Sequence, residues 1–341
     1  MKKSLITLGV LALFVLMAYG QEKKFALYSV AFYNMENLFD TIHDEGKNDY
    51  EYLPNGTNQW NTMKYKAKLK NMSEILSMLS TDKLPMGPAI IGVSEIENYR
   101  VLEDILKQPA LADRGYQYVH YEGADQRGVD CAFFYNPKLF ELTNSKLVPY
   151  VYINDTVHKT RGFLIASGNI AGEKMHFIVN HWPSRAATSP ARERAGEQVR
   201  AIKDSLLKED SAAKIVIMGD MNDDPMDKSM AVALGAKRKP ADVGPTDLYN
   251  PWWDTLKKGY GTLMYKGKWN LFDQIVFTGN LLGTDRSTLK FYKHEIFRRD
   301  FMFQKEGKYK GYPKRTQAGG VWLNGYSDHL PTIIYLIKEV K

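Results

Sequence analysis

Six places in this chain put a polar, chemistry-bearing side chain where an apolar run stops or starts. Asn34-Met35-Glu36-Asn37 follows Val30-Ala31-Phe32-Tyr33, and Glu95 closes Ile90-Ile91-Gly92-Val93-Ser94 with Ile96-Glu97-Asn98 behind it. Asn180-His181-Trp182-Pro183-Ser184-Arg185 follows Phe177-Ile178-Val179. Gly219-Asp220-Met221-Asn222 ends a fourth run, Asp273 opens Gln274-Ile275-Val276-Phe277, and Ser327-Asp328-His329-Leu330-Pro331 precedes the last. A strand end is rigid enough to hold a catalytic group and open enough to reach a substrate. Carboxylates and amide carbonyls are oxygen donors that suit hard divalent cations, and imidazoles titrate near neutral pH. With Cys131 the lone cysteine, the set argues against a structural zinc site. Singly, each place has a plainer account: a surface Asp-His pair, a turn-forming Gly-Asp-x-Asn-Asp-Asp-Pro, an Asn capping a strand. Their joint occurrence in one order is what carries weight.

The elements that must position these groups are mostly short β-rich runs: 25–34, 89–94, 117–121, 129–135, 146–153, 163–169, 175–181, 214–219, 274–277, 289–297 and 332–337. Ile215-Val216-Ile217-Met218 is apolar at both alternating sets of positions, the pattern of a strand covered on both faces. Between the runs, 63–79 sets Ala67, Met72, Ile75, Leu76 and Leu79 on one helical face with lysines opposite. A second helix is predicted over 190–207, with Ser189 as N-cap and Pro190 at the first position, and a short third over 101–106. Strands and helices interleave without strict βαβ repetition, which favours a layered α/β sandwich over a Rossmann or barrel plan. Segments 40–61 and 237–261 are too long for simple connections. The first carries Asp40, His43, Asp44, Glu45, Asp49 and Glu51; Ca²⁺ is conceivable there, but no EF-hand spacing supports it and a solvated acidic loop accounts for it better.

Taken together, the early strand-end Asn34, Glu95, His181, the Gly-Asp-x-Asn element at 219–222, Asp273 and the Ser-Asp-His at 327–329 resemble the endonuclease/exonuclease/phosphatase superfamily, the DNase-I-like group. The resemblance runs from Phe25 to Lys341. It implies a four-layer α/β/β/α sandwich, two packed mixed β-sheets flanked by helices, with the strand ends at one rim. It implies Glu95 as the central ligand of Mg²⁺ or Mn²⁺, one ion or two, with Asn34 and Asp328 completing the site and Glu36 contributing more weakly. Asp273 would orient His329 toward the scissile phosphate and His181 would stand on the other side. Asp220 and Asn222 would orient the attacking water, Asp220 as the candidate general base.

Within that group the substrate is open among DNA or RNA, sphingomyelin-like phospholipids and inositol phosphates. The Asn-His-Trp-Pro-Ser-Arg block resembles that of secreted bacterial nucleases, as do Arg127-Gly128-Val129-Asp130 and Thr160-Arg161-Gly162. Arg127, Arg161 and Arg185 are thus candidate phosphate contacts, or else surface cations paired with nearby acids. Trp182 is a candidate stacking platform for a base, or core filler. Trp252 and Trp253 supply the lipid alternative, since exposed paired aromatics enter membrane interfaces. A catalytically silent phosphate-ligand binder is the third reading, disfavoured by the full polar set.

Bulk properties add limits. Lys2 and Lys3, the apolar run from Leu5 to Met17 and Ala18-Tyr19-Gly20 read as an export signal, residues 1–20, ahead of one catalytic domain over 21–341. A retained anchor is the other reading, but the run falls short of the ~20 residues that span a bilayer. The expected location is periplasmic or extracellular, with no stable membrane insertion after cleavage. A single cysteine forbids an intramolecular disulfide, so stability must come from a core that 44% hydrophobic and 12% aromatic residues can fill. The formal charge is +7, or 7 − 2 = +5 without Lys2 and Lys3, a modest bias toward anionic partners.

Overall fold

The computed structural model describes residues 23–153 and 157–340; the expected export signal lies outside the described residues. β1 (Lys24–Leu38) leads to α1 (Thr62–Met78), β2 (Ile90–Ile96) and α2 (Tyr99–Leu106). β3 (Gln117–His120), β4 (Asp130–Tyr135), β5 (Phe140–Val148), β6 (Phe163–Ile170) and β7 (Glu173–His181) precede α3 (Ser189–Glu209) and β8 (Lys214–Asp220). The short β9 (Ala236–Lys237), β10 (Leu248–Tyr249) and α4 (Trp253–Lys257) are followed by a hairpin of β11 (Leu263–Tyr265) and β12 (Lys268–Asn270). β13 (Asp273–Thr278), β14 (Lys290–Ile296), the small pair β15 (Gln317–Ala318) and β16 (Val321–Trp322), and β17 (Thr332–Val340) complete the chain.

Two mixed sheets result, ordered β14-β17-β1-β2-β4-β3 and β5-β6-β7-β8-β13-β10-β9. Alternation along the strands assigns their faces. In β1, Val30 and Phe32 join Phe177, Val216 and Ile275 in the core between the sheets, while Ala31, Tyr33 and Met35 face α1 and α2. In β8, Val216 and Met218 face the other sheet and Ile215 and Ile217 meet Ala195 and Val199 of α3. The layering is therefore α/β/β/α, and it explains why these strands are apolar at every position. Among the described residues no helix is long and apolar enough to cross a membrane.

Most elements fall where the sequence puts them, with instructive exceptions. The strand expected at 146–153 lies earlier, at Phe140–Val148, because it is a sheet edge whose exposed face takes polar residues; Tyr150 then packs against Phe163 outside the ladder. Ser189 is the first residue of α3 rather than its cap, and its hydroxyl donates to Glu193 Oε1 at 3.0 Å. Asn98 caps α2, accepting from Arg100 N and Val101 N, which starts that helix two residues before the expected position. On α1 the expected division of faces fails at Lys68, which is fully buried. The acidic loop is not simply solvated: Asp40 and Asp44 hold the Arg100 guanidinium, and Asp49 holds His43. Those pairings engage Asp40, Asp44 and Asp49 within the protein.

Candidate active site

The sheet registers bring the six polar strand ends to one rim. β7 runs parallel to β8 with His181 beside Asp220, and β13 runs antiparallel with Asp273 beside Asp220 on its other side. In the other sheet, parallel β1 and β2 place Asn34 beside Ser94, next to Glu95, and antiparallel β17 begins at the same end. The ladders of β1 and β2 are interrupted there, and Glu36, Asn37 and Glu95 adopt left-handed backbone at φ 46°, 55° and 57°. Such bulges re-aim side chains at a strand end, at a cost of about 1–3 kcal/mol each that the surrounding structure must offset. Gly219 is required by close approach: a Cβ there would lie 2.4 Å from the Asn180 carbonyl oxygen.

Asn34 is the hinge of the cluster. Fully buried, it donates through Nδ2 to Glu95 Oε1 at 3.1 Å and to Asp220 Oδ2 at 3.0 Å, while its Oδ1 accepts from Glu36 N at 2.8 Å. Glu95 Oε2 accepts from Asn37 N at 3.0 Å. His181 Nε2 lies 3.6 Å from Glu95 Oε1 and 3.7 Å from Asp220 Oδ2. Asp220 Oδ1 accepts from Asn222 N at 2.9 Å, and Asn222, itself left-handed at φ 52°, ties its Nδ2 to the Trp182 carbonyl at 3.0 Å. Asn222 thereby fixes Asp220 instead of reaching toward solvent. On the far side, His329 Nδ1 donates to buried Asp273 Oδ2 at 2.7 Å, leaving Nε2 at 3.9 Å from Asp220 Oδ2 and 3.8 Å from Asp328 Oδ1. Ser327 supports that turn, donating to Asn34 O and accepting from His329 N.

Electrostatics separate the two imidazoles. Burial pushes the His181 pKa well down, helped by the Arg161, Arg127 and His329 charges, so its ring is neutral; its Nδ1 has no partner among the described residues. Burial opposes charge on His329 too, but Asp273, Asp220 and Asp328 outweigh it and hold the ring as imidazolium. Burial, then the Asp273 and Glu95 charges, raise Asp220 to about 7 against the pull of His329.

Glu36 and Asp328 form a separate side of the site with residues that sequence reasoning did not single out. Arg315 Nε donates to Glu36 Oε1 at 2.8 Å, its second arm meets Asp328 Oδ2 at 2.9 Å, and Thr316 N donates to Glu36 Oε2 at 2.7 Å. Behind them Lys68 donates to Thr316 Oγ1 and, at 2.6 Å, to Tyr326 O. Glu36 thus has both oxygens engaged inside the protein. The only sequence signal for this arm is the Lys314-Arg315-Thr316 run shortly before Ser327-Asp328-His329.

The remaining candidates fare unequally. Arg127 is exposed, 3.5 Å from Asp125, with its charge felt at His181. Arg161 is buried and spent on Asp125 at 3.0 Å and the Trp182 carbonyl at 2.9 Å, so it braces the loop behind His181. Arg185 is shared by Asp223, Asp224 and Asp227 and stacks 4.4 Å over Phe272. Trp182 corrects the stacking expectation: its ring is 1% exposed and packs in the α3-side core, so only its backbone serves the site. Trp252 is likewise buried, its indole N–H donating to Ile275 O, which removes it from any membrane-facing pair.

The donor chemistry fits a divalent cation. Glu95, His181 and Asp220 offer ligand atoms within 4.8 Å of one another, as do Asp220, Asp273 and His329. Of the carboxylates here, Glu95 and Asp328 keep 16% and 21% of their side-chain surface open, while Asp220 and Asp273 are sealed in. Glu95 would hold the ion, Asp328 stands open beside it, and Asn34 shapes the site by donating to carboxylates.

A family model described as "Endonuclease/Exonuclease/phosphatase family" matches residues 29–338. The chain belongs to that family. Its members are phosphoester hydrolases that generally use divalent metal ions, and the two-sheet architecture is theirs. No curated protein matches. Among solved structures, an endonuclease/exonuclease/phosphatase family protein from Bacteroides thetaiotaomicron is 14% identical, with TM-score 0.58 over 93% of this chain and 97% of that one. A mannosyl-6-phosphatase from the same organism is 14% identical, with TM-score 0.56 over 91% and 99%. D. rerio TDP2, complexed with a single-strand DNA product, is 15% identical, with TM-score 0.53 over 91% and 99%. At these identities the likeness is one of fold.

Proposed function

We propose that this protein is an exported, Mg²⁺- or Mn²⁺-dependent phosphodiesterase whose substrate is nucleic acid. The observation that carries the proposal is the convergence of Glu95, His181, Asp220, Asp273 and His329 on one rim, with the titrations of His181, Asp220 and His329 driven apart. Two imidazoles in opposite charge states beside a carboxylate near neutrality supply the acid and the base that phosphoester hydrolysis can use.

Asp220, held by Asn222 N and Asn34 Nδ2, accepts the proton of the attacking water, becoming the neutral acid that its surroundings already favour. Neutral His181 orients the water or a phosphate oxygen through Nε2. Cationic His329, aimed by Asp273, neutralises charge as it develops on the phosphate and supplies a proton toward the leaving oxygen. A divalent ion on Glu95 would add charge neutralisation of the phosphate oxygens and of the leaving group. Removing any one of these contributions is expected to cost on the order of 10²-fold or more.

The nucleic-acid assignment draws on the His181 block and the exposed Arg127, and on a similarly folded protein, TDP2, having been captured with single-strand DNA. The phospholipid reading loses Trp252 to the core. A silent binding protein would have no use for a neutral and a charged imidazole on either side of one carboxylate. The proposed leader over residues 1–20 accounts for export.

The test is a substrate panel with purified protein: single-stranded and duplex DNA, RNA, sphingomyelin, inositol phosphates and a sugar 6-phosphate, with Mn²⁺ or Mg²⁺ and with EDTA. Metal-dependent cleavage of nucleic acid is expected. Phosphocholine release with intact DNA would replace the assignment, and inertness on every phosphoester despite bound metal would end the enzymatic proposal.

A further inference from the structure

A cavity of about 690 Å³ opens beside the catalytic cluster. One wall is the β11–β12 hairpin with Tyr265 and Lys266, the other is the segment carrying Lys308 and Tyr309, and Arg315 and Asp328 lie where it meets the active site. The walls are fastened together. Tyr312 OH accepts from Gly267 N at 2.6 Å across the gap, and Gly311 N and Gln304 N close the second wall on itself. The hairpin is also anchored to the chemistry, since Leu263 bridges the backbone of His329 and Leu330 N donates to Thr262 O. The cavity therefore begins one residue from the imidazolium, with Asp328 Oδ1 3.8 Å from His329 Nε2.

Its composition is unusual for a surface cleft. Tyr265 and Tyr309 are 63% and 53% exposed, and each has a lysine over its ring, Lys266 Nζ at 5.3 Å and Lys308 Nζ at 5.5 Å from the centroid. Arg315 adds a guanidinium held by Glu36 and Asp328, its charge shared with those two carboxylates. Among the described residues the one acid in the lining is Asp328, which is paired with Arg315. Flat aromatic faces interleaved with cations suit a ligand that is itself aromatic and anionic, and the lysines over the rings occupy the place a choline headgroup would take. The volume is that of a small-molecule site, enough for one nucleoside with its phosphate.

Building on the nucleic-acid reading above, we infer that this cavity receives the unpaired base next to the scissile phosphate, placed between Tyr265 and Tyr309 with the adjoining phosphate on Arg315. A base in duplex must leave its stack and its partner to enter, whereas a base in a single strand does so at little cost. The protein is thus a single-strand-preferring nuclease, and the preference is set at this cavity.

The test is fluorescence anisotropy of the full-length mature protein in EDTA, which prevents turnover, with a labelled twelve-nucleotide strand and the same strand annealed to its complement. Single-strand binding at least tenfold tighter than duplex is expected, together with a loss on the order of tenfold in the Tyr265→Ala/Tyr309→Ala double variant. Tyr265→Phe/Tyr309→Phe, which keeps both faces, is expected to bind as wild type. A measurement on the substrate side is independent of how the variants fold: an abasic nucleotide beside the cleaved bond should raise KM about tenfold in wild type. Equal affinity for the two DNA forms and no penalty for the abasic strand, in a protein that still cleaves nucleic acid, overturns the cavity assignment alone. A wild-type protein that neither binds nor cleaves any nucleic acid overturns the cavity assignment and the substrate reading together.

Discussion

Asp273→Asn removes one negative charge from the centre of the site and almost no volume. Asp273 is fully buried, its Oδ2 is 2.7 Å from His329 Nδ1, and its other oxygen has no partner among the described residues, so the side chain serves the imidazole. A hydrogen bond to a charged group is worth roughly 1.5–3 kcal/mol. Asp220 and Asp328 remain 3.9 Å and 3.8 Å from Nε2 and keep part of the stabilisation of the cation. The expected loss is therefore near the middle of that range, about 2 kcal/mol or roughly 30-fold in kcat/KM. Because the ring is misaimed and less charged when the leaving oxygen needs it, kcat should carry the loss and KM should move little. The pH profile supplies a second signature. His329 is held well above its ordinary pKa mainly by Asp273 among the carboxylates, so in the variant the imidazolium loses its proton at lower pH and the alkaline fall in kcat/KM begins earlier. The Asp273 charge also raises Asp220, so the acid limb should move to lower pH as well. Steady-state kinetics on one oligonucleotide across pH 5–9, with thermal unfolding as a control, read all three. A variant within twofold of wild type across that range, at unchanged stability, would refute the role given to the Asp273–His329 pair.

Other outcomes follow from the same geometry. In wild type, kcat/KM should rise with pH through the region up to about 7 as Asp220 loses its proton; a flat profile from pH 5 to 8 would remove it as base. Trp182→Ala should cost about 3–5 kcal/mol of stability, as for other buried tryptophans, while Trp182→Leu, measured where it is folded, binds oligonucleotide as wild type; weaker binding by the latter would restore the stacking role. Lys68→Met should destabilise by about 1–3 kcal/mol, because Thr316 and Tyr326 O lose a buried donor, measured by urea unfolding. His294 is pushed down to about 4 by burial, with the Lys258 charge adding to it. The unfolded chain therefore binds more protons between pH 6.5 and 4, and the folded state should lose up to about 3 kcal/mol as the pH falls through that window. His294→Phe should flatten that dependence, and an unchanged slope would contradict it.

The rim of the site was legible because each functional group sits where a hydrophobic run stops, and parallel and antiparallel neighbours converge at one sheet end. Glu95, Asp220 and His329 could be read in that way. Arg315 could not: its contact with Glu36 spans a separation of 279 residues and depends on how the segment between β14 and β17 folds back. Lys68 was misread because a charged residue on the buried face of α1 breaks amphipathic patterning, and only the Thr316 and Tyr326 acceptors make its burial tolerable. Trp182 carries no sequence mark that separates a ring packed under a strand end from one facing solvent. The early position of β5 was hidden by the polar residues that an edge strand carries on its open face. The four-layer arrangement was implied by resemblance to a family and the strand order was not read from the sequence, since alternation gives the faces of a strand but not its neighbours.

The central claim is that Glu95 holds a divalent ion which the strand-end cluster uses to cleave a phosphodiester. Isothermal titration of Mn²⁺ into wild type and Glu95→Gln, beside cleavage of one oligonucleotide by both, tests it most directly. Saturable binding and cleavage by wild type, both lost in the variant and cleavage abolished by EDTA, is the expected result. Cleavage that persists in EDTA, or a Glu95→Gln protein that binds Mn²⁺ and cleaves as wild type does, would contradict it.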